Sequence, residues 1–452
     1  MKIFKICHKL LISYQLSKYY LLLFSLSFFT IKSNYILIPF KNTRSVSSLP
    51  KSVNNEKISE YLLEIDITID LKVGTPSQIV PVSLSLWNKF IYISSNVLEI
   101  GVYDKDKSTS FKSRNEAPLG DQSYYKKGLY CTDIFKFNLD KNIKNEDISF
   151  ILTTDLVYST EYRKGLLGLQ ITSYRKEETL INQLKAKEII NNYYHFIEFE
   201  NEDNGYFIIG AAPHEYNNKK YSYNDFRQVN AREFSQSWEL TMTNIKYGEI
   251  LFESKNFDLD YRFGMISVGV NMKYEYYNDF FKNRINNGLC RETIYNDYYI
   301  YSCINNDKVK FNELKDFHFF NYGLEYDFIF TYKDLFIEFN GRKYFLITYK
   351  VNSMTAILGK PFFRKYTIIF NPDSKQIGHY IKVGQQEEIN KNVFLKNNIF
   401  FILIIIILTL VVILLAFILY KFIRKKQRKN ILDDNYDYIP EETKKTLEMM
   451  KV

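Results

Sequence analysis

Few residues of this chain have the type and spacing that hydrolytic chemistry requires. Ser85 is a candidate nucleophile, but it lacks the Gly-x-Ser-x-Gly turn that exposes a catalytic serine. The histidines beyond the N-terminal segment, none of which lies beside a recognisable base constellation, are His195, His214, His318 and His379. We find no Cys/His spacing typical of zinc and no glycine-rich phosphate loop. The sequence therefore predicts no cofactor and no metal site, and leaves Asp121 and Asp260 as candidate acids.

The stretch Val73–Ser95 must position any group at Ser85. It begins with Gly-Thr-Pro at 74–76 and continues with a run that includes Gln78, Val80, Val82 and Leu84. This pattern resembles the first active-site segment of pepsin-like aspartic peptidases. In that family the strand leads into an Asp-Thr-Gly-Ser loop, whereas this chain reads Ser-Leu-Trp-Asn at 85–88. The resemblance implies that the fold of the segment is kept and that Ser85 stands at the first catalytic position.

Further segments resemble the same family in the correct order along both halves of the chain. They are Lys164–Leu169, Tyr206–Gly210, Trp238–Gly248, Ala356–Asn371 and Lys375–Tyr380. Ile-Leu-Gly at 357–359 repeats the Leu-Leu-Gly at 166–168, as two pseudo-symmetric lobes should. The resemblance implies a mainly β, bilobal pepsin-like double-β-barrel fold with a central cleft. We expect this domain over residues 60–384, with the first lobe at about 60–225 and the second at about 226–384.

The second active-site loop is expected downstream of Trp238. Aligned on the later segment Lys273–Phe281, the catalytic position falls on Gly264; with Gly264 as the loop glycine, it falls on Arg262. Neither residue is an acid. Asp260 is followed by Tyr-Arg-Phe instead of Thr-Gly-Thr, and we interpret it as a solvated charge at a strand end. The resemblance thus predicts two degenerate catalytic positions, Ser85 and Gly264.

A flap hairpin, which closes over substrate in this family, should precede Tyr125–Asp133, a segment that resembles its closing strand. Counting back from Gly128, the flap tyrosine position falls on Asp121, or on Tyr124 after a small shift. The Tyr-Gly-x-Gly turn is absent in either register. We therefore expect an altered lid, with a differently shaped loop that still closes as the alternative.

The missing acids bear directly on activity. In the family, each lobe supplies one aspartate, and the two share a proton because like charges so close together cannot both ionise. One activates water and the other hydrogen-bonds the scissile carbonyl, roles that serine, glycine and arginine cannot take. The sequence predicts a pseudopeptidase that binds peptide or protein in its cleft or acts as a scaffold. The alternatives are an active aspartic endopeptidase that uses Asp121 or Asp260, and a structural surface protein without a working groove.

The first part of the chain predicts entry into the secretory pathway. Residues 1–33 combine early lysines with a short apolar run, the order of a signal peptide. An uncleaved anchor is the alternative. Residues 34–59 are polar, and we expect a flexible leader there.

The C-terminal part predicts a membrane anchor. After a linker at 385–398, Ile399–Tyr420 is apolar enough and long enough to cross a bilayer. The basic cluster that begins at Lys421 supplies much of the net charge of +9 and places the tail, 421–452, in the cytosol. We expect a single-pass type I membrane protein of the secretory or endolysosomal pathway or the cell surface. Its large domain would be lumenal or extracellular, and no nucleic-acid partner is predicted.

The four cysteines are consistent with this location. In a secreted chain Cys290 and Cys303 form the natural disulfide, and two free thiols are the alternative. We expect Cys131 to be a buried small apolar residue.

Overall fold

The computed structural model describes most of the large domain and little of the chain ends. Its described residues are 34–383, except 96–102, 118–124, 139–142, 157–164, 172–178 and 233–236, and five isolated positions after 419. The predicted signal peptide at 1–33, the linker and all of the predicted span except Tyr420 lie outside them. Within the described residues, no helix is long and apolar enough to cross a membrane. The chain divides into two compact units, Met1–Val383 and Gly384–Val452.

The described domain consists mainly of β-strands, as predicted. The first ten strands are β1 Ile36–Asn42, β2 Ile67–Val73, β3 Gln78–Ser85, β4 Ile91–Ser94, β5 Lys112–Glu116, β6 Tyr125–Asn138, β7 Ile143–Leu156, β8 Gly165–Gly168, β9 His195–Phe199 and β10 Asn204–Ile209. The later strands are β11 Phe226–Asn230, β12 Glu239–Tyr247, β13 Ile250–Phe252, β14 Lys255–Leu259, β15 Ile266–Ser267, β16 Cys290–Tyr295, β17 Tyr298–Ile304, β18 Phe317–Asn321, β19 Tyr326–Phe330, β20 Phe336–Phe339, β21 Arg342–Phe345, β22 Ile347–Lys350, β23 Ala356–Leu358, β24 Ile369–Asn371 and β25 Gln376–Tyr380.

Helices are short and lie between these strands. The α-helices are α1 Asn55–Leu63, α2 Leu180–Ala186, α3 Pro213–Tyr216, α4 Val270–Tyr276, α5 Lys282–Asn286 and α6 Lys360–Lys365, and a π-helical turn at Tyr277–Phe281 joins α4 to α5. Single 3-10 turns occur at Val46–Ser48, Lys105–Lys107, Tyr223–Asp225, Asp307–Val309 and Phe311–Glu313.

The first lobe is a closed barrel joined to a central sheet. In the described residues, thirteen strands follow one path, β11-β25-β24-β9-β10-β1-β2-β3-β8-β4-β7-β6-β5. Because β6 also pairs with β2, the strands β2, β3, β8, β4, β7 and β6 close into a six-stranded ring. The turn between β2 and β3 contains Gly74 at φ +93°, a conformation that favours glycine.

The described part of the second lobe forms a twelve-stranded sheet. Its main path is β19-β18-β12-β14-β23-β15-β22-β17-β21-β20, with β13 and β16 attached at the sides. The Cys290–Cys303 disulfide, which joins directly paired residues of β16 and β17, is present as predicted. Between the lobes, the indole N–H of Trp238 donates to the Leu169 carbonyl oxygen at 2.7 Å.

The leader differs from the flexible segment that we expected. Its β1 pairs with β10 and β2 in the middle of the central sheet, and alternate apolar residues from Ile36 to Phe40 are buried. Asn54 caps α1 by accepting the Lys57 backbone N–H at 2.9 Å. The apolar face of α1, which includes Leu62, packs on the second lobe. Burial of these apolar residues outweighs the polar composition of the segment, so the ordered domain begins at β1.

Candidate active-site cleft

Ser85 ends strand β3 and is fully buried. Its hydroxyl oxygen accepts the Asn88 side-chain N–H at 2.8 Å and the Trp87 backbone N–H at 3.3 Å. Leu86 is buried, whereas the Trp87 side chain remains 37% exposed. The loop therefore engages its own serine in local hydrogen bonds, and Leu86 contributes to the core.

Strand pairing identifies the residue of the second lobe that corresponds to Ser85. In the first lobe, β3 runs parallel to β8 with Leu84 opposite Leu167, and β4 returns with Ile91 opposite the same leucine. In the second lobe, β14 runs parallel to β23 with Leu259 opposite Leu358, and β15 returns with Ile266 opposite that same leucine. The residues that follow Leu84 and Leu259 are the equivalent pair.

That register makes Asp260 the counterpart of Ser85. The two loops have the same length, because Ser85 precedes Ile91 by as many residues as Asp260 precedes Ile266. The hydrogen bonds agree, since Asp260 Oδ1 accepts the Arg262 backbone N–H at 2.9 Å, as Ser85 accepts that of Trp87. A carboxylate thus stands where the sequence alignment expected none.

Glycine packing supports the same register. A Cβ atom on Gly168 would lie 2.5 Å from the Asn88 carbonyl oxygen and 2.6 Å from that of Phe90. A Cβ atom on Gly359 would lie 2.1 Å from the Phe263 carbonyl oxygen and 2.4 Å from that of Met265. In each lobe the two carbonyls belong to the third and fifth residues after the loop's first residue. In each lobe, the glycine is therefore needed so that its strand can approach the carbonyl oxygens of the loop.

Gly264, which the sequence alignment placed at the second catalytic position, lies four residues further along the chain. Its N–H donates to the Leu63 carbonyl oxygen at 2.8 Å, and a Cβ atom there would lie 2.0 Å from the Leu62 carbonyl oxygen. The alignment on Lys273–Phe281 put the loop too late, because helix α4 already begins at Val270. The internal repeat of Leu-Leu-Gly and Ile-Leu-Gly is a sequence signal for this loop, but it locates Asp260 only once the pairing of Leu259 with Leu358 is known.

The Asp260 carboxylate is held by groups that the family's loop does not contain. The Trp87 side chain, from the first lobe, lies nearby and lowers the pKa of Asp260. The Arg262 Nε atom lies 3.8 Å from Oδ1. Burial raises the pKa of Asp260 and outweighs the opposing effect of Arg262. Asp260 is thus a partly buried, paired acid rather than the solvated charge that we expected.

A second carboxylate, Asp258, lies two residues before Asp260, and strand alternation puts both on one face of the sheet. It is directly opposite Glu239, and the Ser237 hydroxyl is 3.1 Å from an oxygen of each. Burial, followed by the neighbouring Glu239, raises the pKa of Asp258 to about 6. Both residues belong to the second lobe, so Asp258 is no cross-lobe partner of the kind that the family uses.

A depression of about 160 Å³ adjoins Asp260. Its charged and polar lining residues are Arg44, Glu64, Asp66, Ser83, Asp260 and Arg262, and its apolar ones are Leu63, Ile65, Leu166 and Phe263. Residues of the leader, of both lobes and of the second loop thus meet at one concave surface. Such a mixture of apolar walls and a few charged groups is typical of a ligand site.

Some of the predicted site residues cannot be placed. Asp121 and Tyr124, the two candidates for the flap position, lie outside the described residues. In the part of the chain that the structure describes, no group of three His, Cys, Asp or Glu side chains is arranged to hold a metal ion. The free thiol of Cys131 is buried, as expected.

Comparison with known proteins agrees with the fold. A search of curated proteins found no match. The model of the eukaryotic aspartyl protease family matches residues 67–380, which include both lobes, Ser85 and Asp260. The match covers more than half of the chain, and its limits coincide with β2 and β25. The chain therefore belongs to the eukaryotic aspartyl protease family, the pepsin-like aspartic peptidases.

Proposed function

We propose that this protein is a pseudopeptidase, a pepsin-like domain that binds peptide or protein in its cleft without cleaving it. The observation that carries the proposal is the unequal pair at the loop apices, with Asp260 in the second lobe and Ser85 in the first. Proton sharing between two carboxyl groups needs both of them. A serine hydroxyl neither ionises near neutral pH nor completes the general acid–base cycle.

The surroundings of Asp260 support the same proposal. An acid that activates water needs free oxygen lone pairs directed at that water. Here Oδ1 of the carboxylate already accepts the Arg262 backbone N–H at 2.9 Å and lies 3.8 Å from the Nε atom of the same arginine. Loss of general acid–base assistance alone lowers a rate by about 10²–10⁴-fold. Lost positioning of the water adds to that, so we expect no useful turnover.

The proposal is tested with purified full-length protein and an unfolded protein substrate at pH 3 to 6. We expect no cleavage that pepstatin inhibits, and the same result for Asp260→Asn. A pepstatin-sensitive activity that disappears in Asp260→Asn would overturn it. Binding is measured separately, by selecting peptides on the immobilised protein and comparing the wild type with Arg262→Gln, a variant altered in the depression.

An active endopeptidase is the second candidate. It is favoured by the position of Asp260, which supplies one of the two acids that such an enzyme needs. Its partner would have to come from elsewhere, with Asp121 as the candidate that the sequence offers. Single variants Asp121→Asn and Asp260→Asn would then both abolish cleavage. A structural surface protein is the third candidate, and the open depression beside Asp260 argues against it.

We also propose that the domain is anchored in a membrane in type I orientation by 399–420. The support is the apolar length and the basic cluster from Lys421 onward. Expressed in eukaryotic cells, the protein should stay in the membrane fraction after alkaline carbonate extraction. A variant that ends at residue 398 should be secreted, and its retention in the cytosol would contradict both the signal peptide and the orientation.

A further inference from the structure

Two buried histidines lie where the central sheet packs on the second lobe. His195 belongs to β9 and His379 to β25, and β24 connects these strands through the pairs Phe370–His195 and Ile369–Gly378. The side chains of His195 and His379 are almost completely buried, at 0% and 2% exposure. We call this pair the histidine seam.

His195 has a wholly aromatic environment. Its ring stacks on Phe370 at 5.2 Å and meets the edges of Trp238 and Phe207 at 6.1 Å each. Neither ring nitrogen has a hydrogen-bond partner among the described residues. The rings from β10, β24 and the start of the second lobe are all uncharged, so none of them would stabilise the positive charge of a protonated His195.

His379 is surrounded in a similar way. Its Nδ1 atom lies 3.1 Å from the Thr367 carbonyl oxygen, which assigns the proton to Nδ1, while Nε2 has no partner in the described residues. Aromatic rings of the second lobe pack on it at 4.5 to 5.8 Å, namely Tyr326, Phe328 and Tyr366.

The charged groups near His379 already have partners. Arg227 lies directly opposite it in β11 and pairs with Glu325 at 3.8 Å. Asp327 of β19 lies with Oδ2 at 2.7 Å from Nδ1 of His318, while its buried Oδ1 has no hydrogen-bond partner among the described residues. A second positive charge beside Arg227 is unfavourable, so protonation of His379 gains little from these neighbours.

Both rings are therefore neutral in the folded protein. Burial lowers the pKa of His195 from 6.5 to about 3 and that of His379 from 6.5 to about 4. Because the unfolded chain binds these protons more readily, the stability that the two neutral histidines contribute is fully present above pH 6.5. It falls as the pH drops from there toward about 4 for His379 and about 3 for His195.

We infer that the histidine seam is an acid-sensitive joint, at which protonation of His195 and His379 loosens the central sheet from the second lobe. Trp238 makes an edge contact with His195 and also donates across the lobes to Leu169, so loosening at the seam reaches the interlobe contact. On the proposed function, the consequence is release of whatever the cleft binds as the pH falls. The loosening itself does not depend on that function.

Trp238 is a reporter inside the joint, because the chain has only two tryptophans and Trp87→Phe removes the other. In the full-length Trp87→Phe protein, we expect the Trp238 emission to fall and shift to longer wavelength between pH 7.5 and pH 4.5. His195→Phe and His379→Gln in that background should each move the midpoint down by about 0.5–1 pH unit. Gln keeps a donor for the Thr367 carbonyl, and Phe continues the aromatic stack.

His318→Gln is the matched control, since His318 is partly exposed and sits beside the acid Asp327. Its midpoint should equal that of the parent. Emission that stays constant down to pH 4.5 would overturn the inference, as would an unmoved midpoint in the histidine variants. If His195→Phe does not fold, His379→Gln decides the matter alone. The fluorescence titration uses no ligand or substrate. Its outcome is therefore independent of the binding and cleavage assays that test the proposed function.

Discussion

Ser85 and Asp260 occupy the same position in the two lobes. Each follows a leucine of a strand that runs parallel to its partner, and each accepts the backbone N–H two residues further on, at 3.3 Å and 2.9 Å. The pair thus keeps the backbone geometry of a symmetric catalytic centre, while only one member has a carboxyl group. The predictions below follow from this relationship and from the contacts around it.

Placing an acid at Ser85 should make stability depend on pH. In Ser85→Asp, a second carboxylate would face Asp260, and two like charges in close proximity raise each other's pKa. Groups with raised carboxyl pKa values stabilise the protein at low pH and lose that contribution as the pH rises through those values. We therefore expect Ser85→Asp to melt at lower temperature at pH 7 than at pH 4, relative to the neutral isostere Ser85→Asn. Equal pH dependence of the two variants would show that the positions do not face each other.

Removing the acid at Asp258 should stabilise the protein near neutral pH. Its pKa is raised to about 6, chiefly by burial, so the folded state disfavours its ionisation above that pH. The penalty is absent below about pH 4 and complete above about pH 6. We expect Asp258→Asn to gain about 1 kcal/mol at pH 7 relative to pH 4, since partial exposure reduces the effect. The exposed Asp70→Asn should show no such difference in thermal unfolding, and a similar gain there would contradict the explanation.

Gly359 should tolerate no side chain. In Gly359→Ala the new Cβ atom would lie 2.1 Å from the Phe263 carbonyl oxygen, so the loop that carries Asp260 must shift. We expect a loss of about 3 kcal/mol or more in denaturant unfolding. Gly269→Ala is the control, because the nearest atom to its Cβ is the end of the Lys255 side chain at 3.5 Å. Comparable stability of the two variants would refute the close approach of strand and loop.

The disulfide should contribute measurably to stability. Cys290→Ala with Cys303→Ala removes a link that closes a short loop, which costs about 2–4 kcal/mol in typical proteins. Reductant should lower the unfolding temperature of the wild type and leave that of the double variant unchanged. Cys131→Ala should retain the sensitivity to reductant, because its thiol is free and buried. A double variant that still responds to reductant would mean that another bond is being reduced.

Local sequence motifs were sufficient to predict the family, the mainly β fold and the disulfide. Gly-Thr-Pro at 74–76 and Ile-Leu-Gly at 357–359 are informative because turns and close backbone contacts restrict which residues can stand there. The sequence also sufficed to place Ser85 at the first catalytic position, because no insertion separates it from the turn and the strand that precede it. Such motifs depend only on residues that are neighbours in the sequence, so a single sequence is sufficient to recognise them.

The identity of the second loop position was decided only by the tertiary structure. It depends on Leu259 lying opposite Leu358, a pairing between residues far apart in the chain, and counting from α4 cannot give that register. The same holds for the leader, whose β1 is ordered because the distant β10 pairs with it. Burial, too, depends on the whole fold: it leaves His195 neutral among aromatic rings, although its sequence neighbours give no sign of it. The sequence by itself determined the kind of protein, and the long-range contacts determined which residues face each other in its cleft, because pairing and burial depend on residues brought together only by folding.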